Sequence, residues 1–128
     1  MSYILLIEPD RLLAETYQQA LINAGHNVIV CAGAQAGIMA ADQKAPDLVV
    51  LELQLVEHSG IEFLYEFRSY PEWQAIPVIV QTMVPQSEFA SSWSLLKDEL
   101  GVYEYLYKPA ANLNTLTDKV SDLMSVKT

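Results

Sequence analysis

Four stretches of the chain are apolar over the length of a β-strand with little alternation: Ile4-Leu5-Leu6-Ile7, Val28-Ile29-Val30-Cys31, Leu48 to Leu53 (interrupted only by Glu52) and Val78-Ile79-Val80. Such runs mark strands buried on both faces. A fifth, Tyr103 to Tyr107, is aromatic. The segments between them change period. Leu13, Tyr17, Ala20, Leu21 and Ala24 recur at helical spacing between Asp10, a plausible N-cap, and Gly25. Gly33 to Lys44 reads as a small-residue helix carrying Ile38 and Met39 and ended by Pro46. Ile61, Phe63, Leu64 and Phe67 predict a third helix that stops before Pro71. Phe89, Trp93, Leu96 and Leu100 predict a fourth with Gly101 as its stop, and Leu113, Leu116, Val120, Leu123 and Met124 a fifth. Strand and helix thus alternate five times. Parallel strands need crossovers, and right-handed crossovers cover both faces of an open sheet. The expectation is one α/β domain over residues 1–128, a doubly wound five-stranded parallel sheet.

Composition narrows this further. Apolar residues make up 52% of 128, enough for one domain with a proper core. No run approaches the roughly 20 apolar residues that span a bilayer. The start, Met1-Ser2-Tyr3-Ile4, lacks a basic region and a cleavage pattern, and Cys31 is the only cysteine. Both suit a cytoplasmic protein with no internal disulfide. Seven Lys and Arg against 16 Asp and Glu give a net charge of −9, which repels nucleic-acid backbones and anionic membranes. The plain reading of that acidity is solubility.

In doubly wound sheets, functional groups gather beyond the carboxyl ends of the strands. Those ends carry Glu8-Pro9-Asp10, Glu52, Gln81-Thr82-Met83 and Lys108-Pro109. Acids with one lysine and a hydroxyl suit a divalent cation or a phosphoryl group. The two histidines, His26 and His58, read as solvated loop residues, and no Ser-His-Asp or Cys-His arrangement is visible. No enzymatic activity is expected.

The order and spacing of four segments, Ile4 to Asp10, Pro46 to Glu52 with Gly60, Ile76 to Thr82, and Tyr105 to Pro109, resemble the receiver domain of two-component response regulators over essentially the whole chain. The resemblance implies the (βα)5 flavodoxin-like receiver fold. It also implies phosphoryl transfer from a histidine kinase to an aspartate with Mg²⁺ present. Carried onto this sequence, it assigns Glu8 and Asp10 to the acidic pocket and Glu52 to the phospho-acceptor position. Thr82 takes the hydroxyl position, Tyr105 the aromatic switch and Lys108 the phosphate-side lysine.

Four positions depart from that pattern: Glu52 replaces the acceptor aspartate, Pro9 the second metal-binding acid, Met83 a small residue and Val56 a loop proline. One added methylene displaces the reacting oxygen by about 1.3 Å. An error of about 1 Å costs on the order of 100-fold in a positioned reaction. Pro9 cannot ligate a cation, so no cofactor is expected and Mg²⁺ is weakened, with Glu8, Glu52 and Gln54 as weak metal candidates. The extra length also pushes a charge of about −1 toward the place of a phosphoryl group, which carries roughly −1.5 to −2. Two readings stand at Glu52: a partial phospho-aspartate mimic, or a carboxylate that merely neutralises Lys108.

The expected function is that of an atypical pseudo-receiver, acting by phosphorylation-independent binding to a histidine kinase, an output domain or another regulator. The face from the fourth to the fifth helix is the candidate surface, with Trp93 and Tyr103 as interface candidates and a homodimer conceivable there. Tyr103, Tyr105 and Tyr107 would share one face if their strand is regular. The alternatives are a conventional phosphorelay receiver and, from another class, a flavodoxin-like cofactor-binding protein. The acids of Glu8-Pro9-Asp10-Arg11 disfavour flavin phosphate in the latter. A stand-alone regulator and a piece of a longer protein are equally compatible with the sequence.

Overall fold

A computed structural model describes residues 2–127, with side chains described to residue 125. Strands β1 (Tyr3–Ile7), β2 (Asn27–Cys31), β3 (Leu48–Leu51), β4 (Val78–Thr82) and β5 (Val102–Tyr107) are all parallel and lie in the order β2-β1-β3-β4-β5. This is the doubly wound α/β sheet expected. Alternate residues of the central strands feed two cores. Leu5, Ile7, Val49 and Leu51 pack with Phe63, Leu64 and Phe67 on one side. Ile4, Leu6, Leu48 and Val50 pack with Tyr17, Leu21, Leu116 and Val120 on the other. Continuous apolar runs were therefore required, since neither side of these strands meets water.

The helices are α1 (Arg11–Asn23), α2 (Ala34–Gln43), α3 (Gly60–Ser69) and α4 (Leu113–Lys127). Asp10 caps α1 by accepting from the Leu13 N–H, and Ser59 with Glu62 forms a reciprocal capping box on α3. The predicted fourth helix is α-helical only at Trp93 and Ser94. Residues Gln86–Ser92 form 3-10 turns with a break at Phe89 (φ −110°, ψ 17°), and Leu95–Glu99 form a π-helical turn. Serine, a weak helix former, stands at 87, 91, 92 and 94, and the segment starts after Pro85 without a side-chain cap. The apolar spacing was right and the helix type was not. Leu96 and Leu100 are buried, while Phe89 and Trp93 pack at the margin of the same core.

Two further expectations change. The strand at Leu48 ends at Leu51, leaving Glu52 and Leu53 outside it. Strand β5 is bulged: Val78 pairs with Val102, but Ile79 pairs with Glu104. Val102 and Tyr105 consequently pack into the same core, while Tyr103 is 49% exposed at the bulge, so the three tyrosines do not form one regular row. His26 also departs from the solvated reading. Both ring nitrogens are shielded from solvent without a hydrogen-bond partner among the described residues, and burial lowers its pKa.

Candidate functional site

The carboxyl ends of β1, β3, β4 and β5 converge on Lys108. Backbone bonds set the frame: the Glu52 N–H donates to Ile7 O at 3.0 Å and the Glu8 N–H to Cys31 O at 3.0 Å. Gly60 then lets the start of α3 close over the Glu52 backbone. A Cβ there would stand 2.8 Å from Glu52 O and 2.7 Å from the Leu53 Cα. Lys108 follows β5 in a short 3-10 turn, Lys108–Ala110.

Glu8 and Glu52 are each 4% exposed and Thr82 is fully buried. The Lys108 ammonium donates to Glu8 Oε1 at 2.7 Å and to Glu52 Oε1 at 2.6 Å. Glu52 Oε2 accepts from the Thr82 hydroxyl and, at 3.0 Å, from the Gln54 N–H. Glu8 Oε2 accepts from the Asp10 N–H at 3.0 Å. Burial by itself pulls the Lys108 pKa down, but the bonds and charges of Glu52 and Glu8 outweigh it and hold the ammonium above its ordinary value.

Of the sequence candidates, Glu8, Glu52, Thr82 and Lys108 thus form one bonded cluster. Asp10 does not bring its carboxylate to it: that group is committed to the α1 N-terminus, and only its N–H reaches Glu8. Gln54 likewise serves Glu52 through its backbone. Met83 is 51% exposed beside the site and Val56 is 88% exposed on the loop.

Thr82 and Tyr105 are linked through Val84, a residue whose part the sequence does not signal because it acts through its backbone. Its N–H donates to the Thr82 hydroxyl at 3.2 Å, and its carbonyl accepts from the Tyr105 hydroxyl at 2.6 Å. The Tyr105 pKa is pushed up to about 12, first by burial and then by Glu52 and Glu88. Its ring meets Phe89 and Trp93, each at 6.0 Å between centroids. Trp93 is half-buried against Tyr105 and Tyr103 is exposed, so the two interface candidates differ in what they offer a partner.

A divalent cation fits these residues poorly. All four carboxylate oxygens of Glu8 and Glu52 already accept bonds from the protein, and the ammonium lies between the two acids. Pro9 supplies no side-chain oxygen. Among the described residues no group of three or more His, Cys, Asp or Glu is arranged to hold a metal, and none of the helices is long and apolar enough to cross a membrane.

Comparison with known proteins places the chain as a whole. Over 109 residues the chain is 32% identical to the KDP operon transcriptional regulatory protein KdpE of Escherichia coli (strain K12), covering 85% of this chain and 45% of that protein. It therefore spans less than half of that relative's length. A response regulator receiver domain protein from Clostridium thermocellum shares the fold, with a TM-score of 0.83, 20% identity and coverage of 99% and 97% of the two chains. The Mn(2+)-bound form of response regulator Rcp1 matches with a TM-score of 0.75, 27% identity and coverage of 98% and 93%. The family description "response regulator receiver domain" matches residues 4–121, a span that holds the whole site from Glu8 to Lys108, and the chain belongs to this family of two-component signalling domains.

Proposed function

We propose that this receiver signals without being phosphorylated: Glu52 stands in part for a phosphorylated aspartate and holds one conformation that a partner protein reads. The observation that carries this is the double engagement of the Glu52 carboxylate, by Lys108 through one oxygen and by Thr82 through the other. These are the groups that the receiver resemblance assigns to the phosphoryl side of the pocket. The Thr82–Val84–Tyr105 connection carries that engagement to the surface built by segment 86–99, β5 and α4, the proposed face for a histidine kinase, an output domain or another regulator. A carboxylate has less charge and fewer acceptor oxygens than a phosphate, so the mimicry is partial.

Metal plays no part in this reading, because the ammonium already lies between the two acids and their oxygens are engaged. The Mn(2+)-bound form of the related Rcp1 makes metal the sharpest discriminator. The test is intact mass and amide spectra with acetyl phosphate or beryllofluoride in the presence of Mg²⁺. Both should remain unchanged. A stoichiometric, Mg²⁺-dependent mass gain would establish a conventional phosphorelay receiver instead. The Glu52→Asp, Pro9→Asp double variant should gain Mg²⁺ affinity over the parent, and failure to do so would show that the pocket is closed for another reason.

A further inference from the structure

A second concave surface lies away from the Lys108 site, between α2 and the loop that leads from β3 into α3. It consists of two adjoining hollows of about 230 and 150 Å³ that share Ala34, Gln35 and His58. Small residues from Ala32 to Ala36 make one wall, and Leu55 and Val56 line the larger hollow. Val56 is 88% exposed, a branched apolar side chain left in water beside a hollow it does not fill. Isolated exposed apolar residues are ordinary, but one set on the lip of a concavity is a contact offered to a partner.

The charge around the hollows is of one sign. Glu57, Glu62 and Glu66 line them with no lysine or arginine among the lining residues. His58 Nδ1 lies 3.2 Å from Glu62 Oε2, and among the described residues no Lys or Arg side chain pairs with the three glutamates. Glu62 and Glu66 are four apart on α3, so their carboxylates rise from one face about one turn apart. A net charge of −9 adds a long-range field of the same sign.

We infer that this α2–α3 groove is a docking site for a cationic, amphipathic segment of a partner protein, one that places an aliphatic side chain beside Val56 and Lys or Arg residues against Glu57, Glu62 and Glu66. The inference goes beyond the reading of Glu52 and does not depend on it. Charge complementarity selects this occupant: an acidic or neutral segment would leave the carboxylates unpaired or repelled. Neither segment 86–99 nor β5 lines the groove, so a partner here would leave the aromatic face free.

The experiment titrates the ¹⁵N-labelled chain with a short amphipathic peptide carrying arginines one helical turn apart around a leucine. Its citrulline counterpart, equal in shape and uncharged, is the control. Saturable shifts should centre on Gln35, Val56 and His58 and weaken with added salt. Combining Glu57→Gln, Glu62→Gln and Glu66→Gln should weaken binding roughly tenfold. Glutamine at 62 retains the capping bond with Ser59, so the fold is preserved. Separately, Val56→Asn should weaken binding with every charge in place. Absence of saturable shifts, equal affinity for the citrulline peptide, shifts centred on residues 86–107 or scattered over the acidic surface, or unchanged binding by the variants would each overturn the proposal.

Discussion

The ammonium of Lys108 lies 2.7 Å from Glu8 and 2.6 Å from Glu52 while its side chain is only 8% exposed. Two buried carboxylates share this one cation, so its removal leaves uncompensated charge rather than a lost surface contact. Lys108→Met should therefore lower stability by about 3 kcal/mol in urea denaturation, and Glu52→Gln in the same background should restore part of it. Additive losses in the double variant would show that the two residues do not act as a pair. Linkage gives a second readout. The Lys108 pKa is raised in the folded state, so its contribution is full below the ordinary lysine value and disappears as pH rises through the folded value. The parent should lose stability on that alkaline limb more steeply than Lys108→Met. At this scale Glu8, Glu52, Thr82 and Lys108 were legible, because a polar residue closing a buried strand needs a partner. Asp10 was legible as the α1 N-cap, and only its place in the acidic pocket was not borne out, because the α1 N–H groups took its carboxylate.

Helical spacing of apolar residues identifies a buried face but does not choose among winding geometries, and segment 86–99 shows the consequence. Its 3-10 and π turns surround Phe89 and Trp93, the residues that meet Tyr105. The π turn ends at Leu100, whose N–H reaches Leu95 O at 3.0 Å, and the chain then turns at Gly101 with φ +70°. Arg68 holds that junction by donating to Leu100 O at 2.9 Å and to Trp73 O at 2.7 Å. Its residues are mostly exposed and its winding irregular, so hydrogen exchange should be faster in 86–99 than in α1 or α3. Equal protection would show that the irregular winding carries no loss of local stability. A different element controls the site itself. Gly60→Ala drives a methyl into the Glu52 carbonyl and the Leu53 backbone, and should destabilise the chain by about 1–3 kcal/mol while shifting the Glu52 and Thr82 amide signals. Undisturbed Glu52 and Thr82 signals would count against Gly60 as the residue that seats the β3–α3 loop.

Across the whole molecule, pH and charge act together. His26 has both ring nitrogens shielded and a pKa lowered by burial, so folding favours its neutral form. Stability tied to His26 is complete above the ordinary histidine value and falls as pH drops through the lower folded value. His26→Gln should flatten the decline in melting temperature between pH 7 and 5, and an unchanged decline would assign that limb to other groups. The doubly wound layout was determined by the sequence itself. Strands with two buried faces must be apolar at consecutive positions, helices with one buried face must repeat with their turn, and alternation of the two leaves few topologies. The same pattern determined which strand ends carry charge, and so where chemistry would lie. Only the tertiary structure decided that Lys108 would stand between Glu8 and Glu52, that Asp10 would turn away, and that Val84 would tie Thr82 to Tyr105. Periodicity reports which face of an element is buried, whereas a polar side chain's partner is settled by competition among donors and acceptors brought together from distant parts of the chain.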